Sequence, residues 1–489
     1  MSANSHAMPG ADPRLINEDL APVPAGQRSW STYSVFAMWM SDVHSVGGYT
    51  FAASLFLLGL SGWQVLLALV IGIGIVNVLM NWIGKPSQQH GIPFPVMARV
   101  SCGVMGANLA AVVRGVVGIV WYGVQTYFAS KAVATLVLMA FPSAASLQAT
   151  SVLRLDLLGW SCFLFMWFFQ LLIFQRGMET IRKFIDFCGP AVYLVMFLLM
   201  GWIIHKAGWD ALDLTLSDKV LTGTQSLVAM GSAILLVVSY FAALLLNFGD
   251  FSRFAKSEKA MRRGNFLGLP LNFILFAIIV VVVTAGSAKV FGHMIMDPVE
   301  IVAKIDNPWA VVLGSVTFVI ATMGINIVAN FVSPAYDIAN LFPKHVDFKK
   351  GGLIASILAV VVCPWIFVDS PQAITVFVSV FGAVLAPLFG VMVADYYLVK
   401  RQRVVVEELY TMSPAGRYHY DGGWNRLGLL SLLVSGAIAV GWELATQLFK
   451  ALPENNFGWV IGAVAGAAIY LVAMRLAGRT EPAGRPAVA

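Results

Sequence analysis

Twelve apolar runs partition this chain, at 33–58, 63–82, 106–138, 155–175, 186–206, 224–247, 265–290, 308–335, 352–369, 370–398, 425–447 and 456–476. A helix that crosses a bilayer needs about 20 predominantly apolar residues. The chain is therefore expected to be an all-α polytopic membrane protein with twelve transmembrane helices, named here spans 1 to 12. Composition agrees: 59% of the 489 residues are hydrophobic and 11% are charged, against about 25% charged in soluble proteins. The third run is long enough to require a tilt. The ninth and tenth are divided only by the tight turn Asp369-Ser370-Pro371.

The net charge of +6 does not point to nucleic acid, because the basic residues fall between apolar runs. If the N-terminus lies inside, the tails and even-numbered loops hold roughly 23 of the 31 Lys and Arg residues and the outer loops roughly seven. Arg114, within span 3, is the remaining one. Both termini are thus expected in the cytoplasm, and the chain in the inner (plasma) membrane. Cys102, Cys162, Cys188 and Cys363 stand singly, with no CxxC pair, so neither a metal site nor a disulfide framework is indicated. Residues 1–32 have no signal-peptide core. They read as a flexible tail, as does the 477–489 end.

Three stretches place polar groups inside apolar runs. In span 3, Trp121 and Gln125 are four apart and share a helix face. A flat aromatic beside an amide can hold a planar heterocycle carrying adjacent N–H and C=O groups. The same pair also reads as an ordinary membrane tryptophan and an amide bonded to a neighbouring helix. In span 1, Asp42 and His44 precede Gly47-Gly48. Charge at that depth is expensive and normally faces a cavity or a partner. The glycine pair permits an unwound backbone able to coordinate an ion or substrate, or else close helix packing. In span 8, Asn326 and Asn330 share a face, either towards a ligand or towards neighbouring helices. Span 3 and span 8 are each third in a set of five. If the sets are inverted repeats, Gln125 and Asn330 face each other near the midplane.

Arg114 either snorkels to the cytoplasmic interface, the preferred reading, or joins an inner gate. Asp250, Asp337 and Asp395 read as helix-end carboxylates pairing with basic loop residues. Glu443 is assigned no role. The sequence contains no GxxxxGK[ST] for ATP-driven transport and no HExxH for membrane enzymology. It also lacks a TVGYG-like filter. These absences favour a secondary transporter, not an enzyme.

The chain resembles the nucleobase–cation symporter-1 family of purine, pyrimidine, allantoin and hydantoin permeases. The resemblance is carried by Trp39 to His44, Gly91-Ile92-Pro93-Phe94-Pro95, Trp121 to Gln125, Asn247 to Phe254, Asn330 to Asn340 and Ala394-Asp395-Tyr396-Tyr397. Ser333 to Asn340 and Gly177 to Ile181 point to its bacterial allantoin permease branch. The resemblance implies a five-plus-five inverted-repeat core (33–206 and 224–398) with two extra C-terminal helices (425–476). It implies Trp121 as the stacking tryptophan, Gln125 and Asn330 as substrate-bonding amides, and Ser45 as a further polar contact. Tyr240-Phe241 stands where the family usually has a second tryptophan, with Phe241 the direct match.

For the cation, the positions matching the family's sodium site are Ser41 and His44 on span 1 and Ala321, Gly324 and Ile325 on span 8. Gly324 and Ile325 lack the hydroxyls that a hard cation needs, so this sodium site reads as degraded. Transport is expected to be proton-coupled or uncoupled, with Asp42 nearby and His44 the first candidate proton carrier. The substrate is expected to be a flat nucleobase or cyclic ureide, imported by alternating access without a cofactor. An uncoupled facilitator and a membrane-bound sensor stay open as alternatives, and the sequence does not address oligomeric state.

Overall fold

Local chemistry sets where the spans begin and end. Ser31, Ser61 and Thr222 each form a capping box that satisfies the exposed N–H groups of a helix start. Asp156, Asn307 and Ser370 cap spans 4, 8 and 10 with a single side-chain acceptor. The computed structural model describes residues 8, 10–209, 214, 221–450 and 455–481; the side chains of residues 41–42 and 178–191 lie outside that description. The expectations for Ser41, Asp42 and Cys188, and for the Met178–Ile181 marker, therefore fall on side chains outside the described residues.

Among the described residues, nine helices are long and apolar enough to cross a membrane. They are Gly62–His90 (span 2), Ala107–Ala140 (3), Leu157–Gln175 (4), Gly223–Ser252 (6), Glu258–Phe291 (7), Pro308–Leu341 (8), Pro371–Val399 (10), Arg426–Leu448 (11) and Gly458–Leu476 (12). Span 1 is broken into Thr32–Val43 and Val46–Ser54, span 5 is Met178–Ala207, and span 9 is the short Phe348–Val361. Together they make the twelve expected. Several run well past the apolar run that announced them: span 2 continues eight residues beyond Met80-Asn81-Trp82, to His90.

The first helix of each five is broken. Span 1 breaks at His44-Ser45, both extended, and span 6 at Phe241, between Gly223–Tyr240 and Ala242–Ser252. Five is an odd number of crossings, so the second set starts from the opposite face and the repeat is inverted. Span 2 packs on spans 6 and 7, span 3 on spans 4 and 8, and spans 11 and 12 on span 10. The Phe248 ring of span 6 packs on span 2 at Gly84, where a Cβ would stand 2.5 Å from it.

The N-terminal segment is not the free tail expected. Leu15 and Leu20 are buried, the Leu15 carbonyl accepts from Arg99 (2.8 Å), and the Leu20 carbonyl from the Tyr410 hydroxyl (2.7 Å). The Asp19 carboxylate accepts from Phe348 N, and Trp30 lies against Phe251 and Phe254. The segment is thus pinned to the even-numbered loops, which share one face. Glu481 likewise bonds the end of span 10. Short apolar anchors in a polar stretch give no periodic signal, which is why composition alone read both ends as loose.

Candidate functional site

The two breaks free backbone groups and bring side chains to the middle of the bundle. Trp121, Gln125, Tyr240, Ala243, Leu244, Ile325, Ala329 and Asn330 line one cavity. Spans 3, 6 and 8 supply these walls, and span 1 closes the side.

Gln125 is the most informative polar group. Its Nε2 donates to Ser45 Oγ at 3.3 Å, and Ser45 itself caps the second half of span 1 by accepting from Gly48 N. Its Oε1 is buried and has no hydrogen-bond partner, an expensive arrangement unless something else donates to it. Gly47 explains how the amide fits: a Cβ there would stand 2.8 Å from Oε1. The glycine pair is therefore not the unwound point expected. It lies in the first turn of the second half-helix, as a contact surface for Gln125 and Tyr240.

Asn330 sits in a wide π-turn, Asn326–Phe331, a distortion frequent at functional sites. Its Nδ2 donates to Asn326 Oδ1 (3.1 Å), leaving the rest of the amide for a ligand. Asn326, by contrast, is structural. Its Nδ2 reaches the Tyr122 carbonyl, Thr126 Oγ1 and Gln170 Oε1 at 2.8–3.0 Å. Sequence reading missed Gln170, whose one signal was an amide in the otherwise apolar span 4.

The aromatic walls differ from expectation. Phe241 does not line the cavity. It is the capping residue at the span 6 break and packs against Phe273. The ring that faces Trp121 is Tyr240, at 5.3 Å between centroids and 82° between planes. Phe51 stacks behind Tyr240 at 4.5 Å, and Phe377 holds Trp121 edge-on at 4.8 Å. The walls are perpendicular, so a planar ring lying flat on one presents its edge to the other, a favourable arrangement for both contacts.

The coupling residues whose side chains are described do not converge. His44 turns away from the cavity, with its ring 4.1 Å from Tyr193 and 5.3 Å from Phe276. Asn272 is the polar side chain beside its ring. An aromatic enclosure is a poor setting for a proton carrier, which must exchange with water. Ala321, Gly324 and Ile325 are buried, and Ile325 faces the substrate cavity. The hydroxyl that meets the span 1 break is that of Thr322, which accepts from Val46 N at 3.1 Å. It satisfies a backbone donor there and was not among the residues expected. Among the described residues no cluster of three or more His, Cys, Asp or Glu could hold a metal.

Deeper towards the face carrying the N-terminal segment, Arg114 does not snorkel. It is buried between Asp250 of span 6 and Asp337 of span 8. Asp250 and Asp337 therefore pair with this arginine and not with loop residues. Asp395 accepts from the Tyr470 hydroxyl (2.7 Å), and Glu443 from Ser379 Oγ and Gly458 N; both tie spans 10 and 11 to their neighbours.

A sequence profile of the family described as "Permease for cytosine/purines, uracil, thiamine, allantoin" matches residues 22–462. The chain belongs to this family. Among relatives, the permease is 35% identical to the allantoin permease of Bacillus subtilis over 464 residues, covering 95% of this chain and 94% of the relative. It is 34% identical to the purine-uracil permease NCS1 of Arabidopsis thaliana, over 92% of this chain and 75% of the relative. Its fold is that of Mhp1, a nucleobase-cation-symport-1 family transporter solved in a closed conformation with bromovinylhydantoin bound. The TM-score is 0.77 at 23% identity, covering 94% of this chain and 95% of that one. The permease is thus a multi-pass membrane transporter and not an enzyme.

Proposed function

We propose that this permease imports a small cyclic ureide or nucleobase by alternating access, from outside to cytoplasm across the plasma membrane, with both termini inside. The observation that carries the reading is the unpartnered Gln125 Oε1, set in a cavity with Trp121, Tyr240 and Asn330. Allantoin, uracil and hydantoin share the matching chemistry, a flat ring edge with adjacent N–H donors and C=O acceptors. Gln125 Oε1 accepts a ring N–H, Asn330 bonds a second edge, and Ser45 holds the Gln125 amide in register. The ring lies against Trp121 and meets Tyr240 edge-on. Coupling is to protons or absent. In support, the span 8 positions that match the family's sodium ligands carry no hydroxyl at Gly324 and Ile325.

The experiment is uptake of radiolabelled allantoin and uracil into cells expressing the permease, competed by unlabelled hydantoins, pyrimidines and purines. Saturable uptake with a narrow competitor set is expected, abolished or unchanged by a protonophore and indifferent to sodium replacement. No uptake and no competition in a parallel binding assay would overturn the substrate class. Sodium-dependent uptake that ignores the protonophore would overturn the coupling.

The two aromatic positions give a sharper test. Tyr240→Ala is expected to weaken competitor affinity about tenfold, because it removes a cavity wall worth roughly 1–1.5 kcal/mol in ring contact. Phe241→Leu, which alters a ring behind that wall, is expected to change affinity less than about twofold. Affinities from competition curves in the two folded variants decide it, and the reverse ranking would restore Phe241 to the site.

A further inference from the structure

Span 6 has two faces of different character. Phe248, Gly249 and Ser252 face span 2: Phe248 packs on Gly84, Gly249 lies against Ser87, and Ser252 Oγ donates to the Gly84 carbonyl at 2.9 Å. This seam is close and interdigitated. Asn247 and Asp250, three residues apart and so on one side of the helix, face spans 3 and 8 through polar bonds. Asn247 Nδ2 donates to the Ala329 carbonyl at 2.7 Å, and Asp250 Oδ2 accepts from Arg114 Nη1 at 2.8 Å.

Arg114 is bonded unequally to its two carboxylates. Nε and Nη2 form a two-point fork with Asp337 at 2.8 and 2.7 Å, whereas Asp250 takes a single bond. Such forks are stronger and more directional than single contacts. The backbone reinforces the asymmetry. Gly115 lies against the Asp337 side chain, where a Cβ on the glycine would stand 3.3 Å from the Asp337 Cβ. Gly118 lies against Pro334, so spans 3 and 8 are in direct contact beside the fork. Asp250 keeps another partner if Arg114 leaves, because its Oδ1 accepts from Phe94 N at 2.9 Å. Phe94 also carries the guanidinium over its ring at 4.0 Å. Arg114 and Asp337 are each seven residues from the cavity residues Trp121 and Asn330, about 10 Å along their helices, on the side that carries the N-terminal segment.

We propose that the Arg114–Asp250–Asp337 triad is the latch that closes the permease on that face: the single Arg114–Asp250 bond breaks when the face opens, and the Arg114–Asp337 fork persists. Span 6 then leaves with span 2, while spans 3 and 8 stay together. The inference rests on the alternating-access reading above. It adds which bond must break, and it makes Arg114 and Asp250 positioning residues for transport and not substrate ligands.

The test uses full-length permease with Cys102, Cys162, Cys188 and Cys363 replaced by serine and Ser333→Cys as reporter. Ser333 is buried between the cavity and the latch, and its carbonyl accepts from Arg114 Nη2 at 3.2 Å. The readout is the rate of labelling by a membrane-impermeant maleimide, in inverted vesicles and in whole cells. Asp250→Asn keeps the shape and the Phe94 contact and removes the charge. It is expected to speed labelling about tenfold, the equivalent of one charge-assisted bond, from the N-terminal face alone. Asp250→Ser also removes the charge, and serves where Asp250→Asn is not recovered folded; it is expected to label faster too. Glu443→Gln, a buried acid outside the latch, is expected to leave the rate unchanged. A parental rate in a monodisperse Asp250→Asn or Asp250→Ser protein would overturn the latch, as would equal acceleration from both faces. Labelling needs no substrate, so failure of the proposed substrate class would show in uptake while this readout stood.

Discussion

Gln125→Ala is expected to lower uptake at subsaturating substrate by about 10- to 100-fold while leaving the yield and melting temperature of the purified permease near those of the parent. The two halves of this result have one cause. Gln125 Oε1 is buried without a donor, and Nε2 reaches Ser45 Oγ only at 3.3 Å. Removing such a group takes away an unsatisfied acceptor along with one long bond, so the fold loses little. The substrate loses more. Its ring N–H enters a closed site and finds no acceptor, which costs about 1–3 kcal/mol. Radiolabel uptake normalised to surface expression, with thermal melting in detergent, separates the two effects. Undiminished uptake by a well-expressed Gln125→Ala protein would sink the assignment. Lost uptake with an equally large fall in stability would mean that the amide is a packing group.

What was legible in the sequence was whatever depends on the solvent. Lipid imposes long apolar helices, so the spans could be counted, and a capping residue or proline could be read at many of their ends. Trp121 and Gln125 were legible as a pair because four-residue spacing fixes a shared face before any tertiary structure is known. The rest depends on what lies across the gap. Tyr240 and Phe241 are adjacent and chemically alike, and only the break at Phe241 decides which ring faces the cavity. His44 reads the same in the sequence whether it faces a cavity or an aromatic cage. Gly47 was readable as special but not as the floor beneath an amide on another helix. The N-terminal strap is held largely by backbone carbonyls of Leu15, Asp19 and Leu20, which leave no trace in residue type.

Arg114 shows the same limit most sharply, and it carries the largest stability effect expected in this chain. A lone arginine in an apolar helix is cheapest at an interface, where its stem lies in lipid and its head in water. Here the cost of burial is met by two carboxylates that are 136 and 223 residues away in sequence. Arg114→Ala would leave Asp250 and Asp337 facing each other in a dry site with no counter-charge. Removing one partner of such a set costs about 3–5 kcal/mol, a large share of the ~5–15 kcal/mol by which folded proteins are stable. The variant is expected to express poorly and to melt well below the parent after solubilisation. The remedy distinguishes charge from packing. Arg114→Leu combined with Asp250→Asn and Asp337→Asn removes every buried charge and keeps most of the volume, and such replacements are often neutral. Recovery of the parental melting temperature by the triple variant, without recovery of transport, would show that the triad is retained for movement and not for stability. A stable Arg114→Ala protein would mean that water already reaches the two carboxylates, and the latch would lose its physical basis.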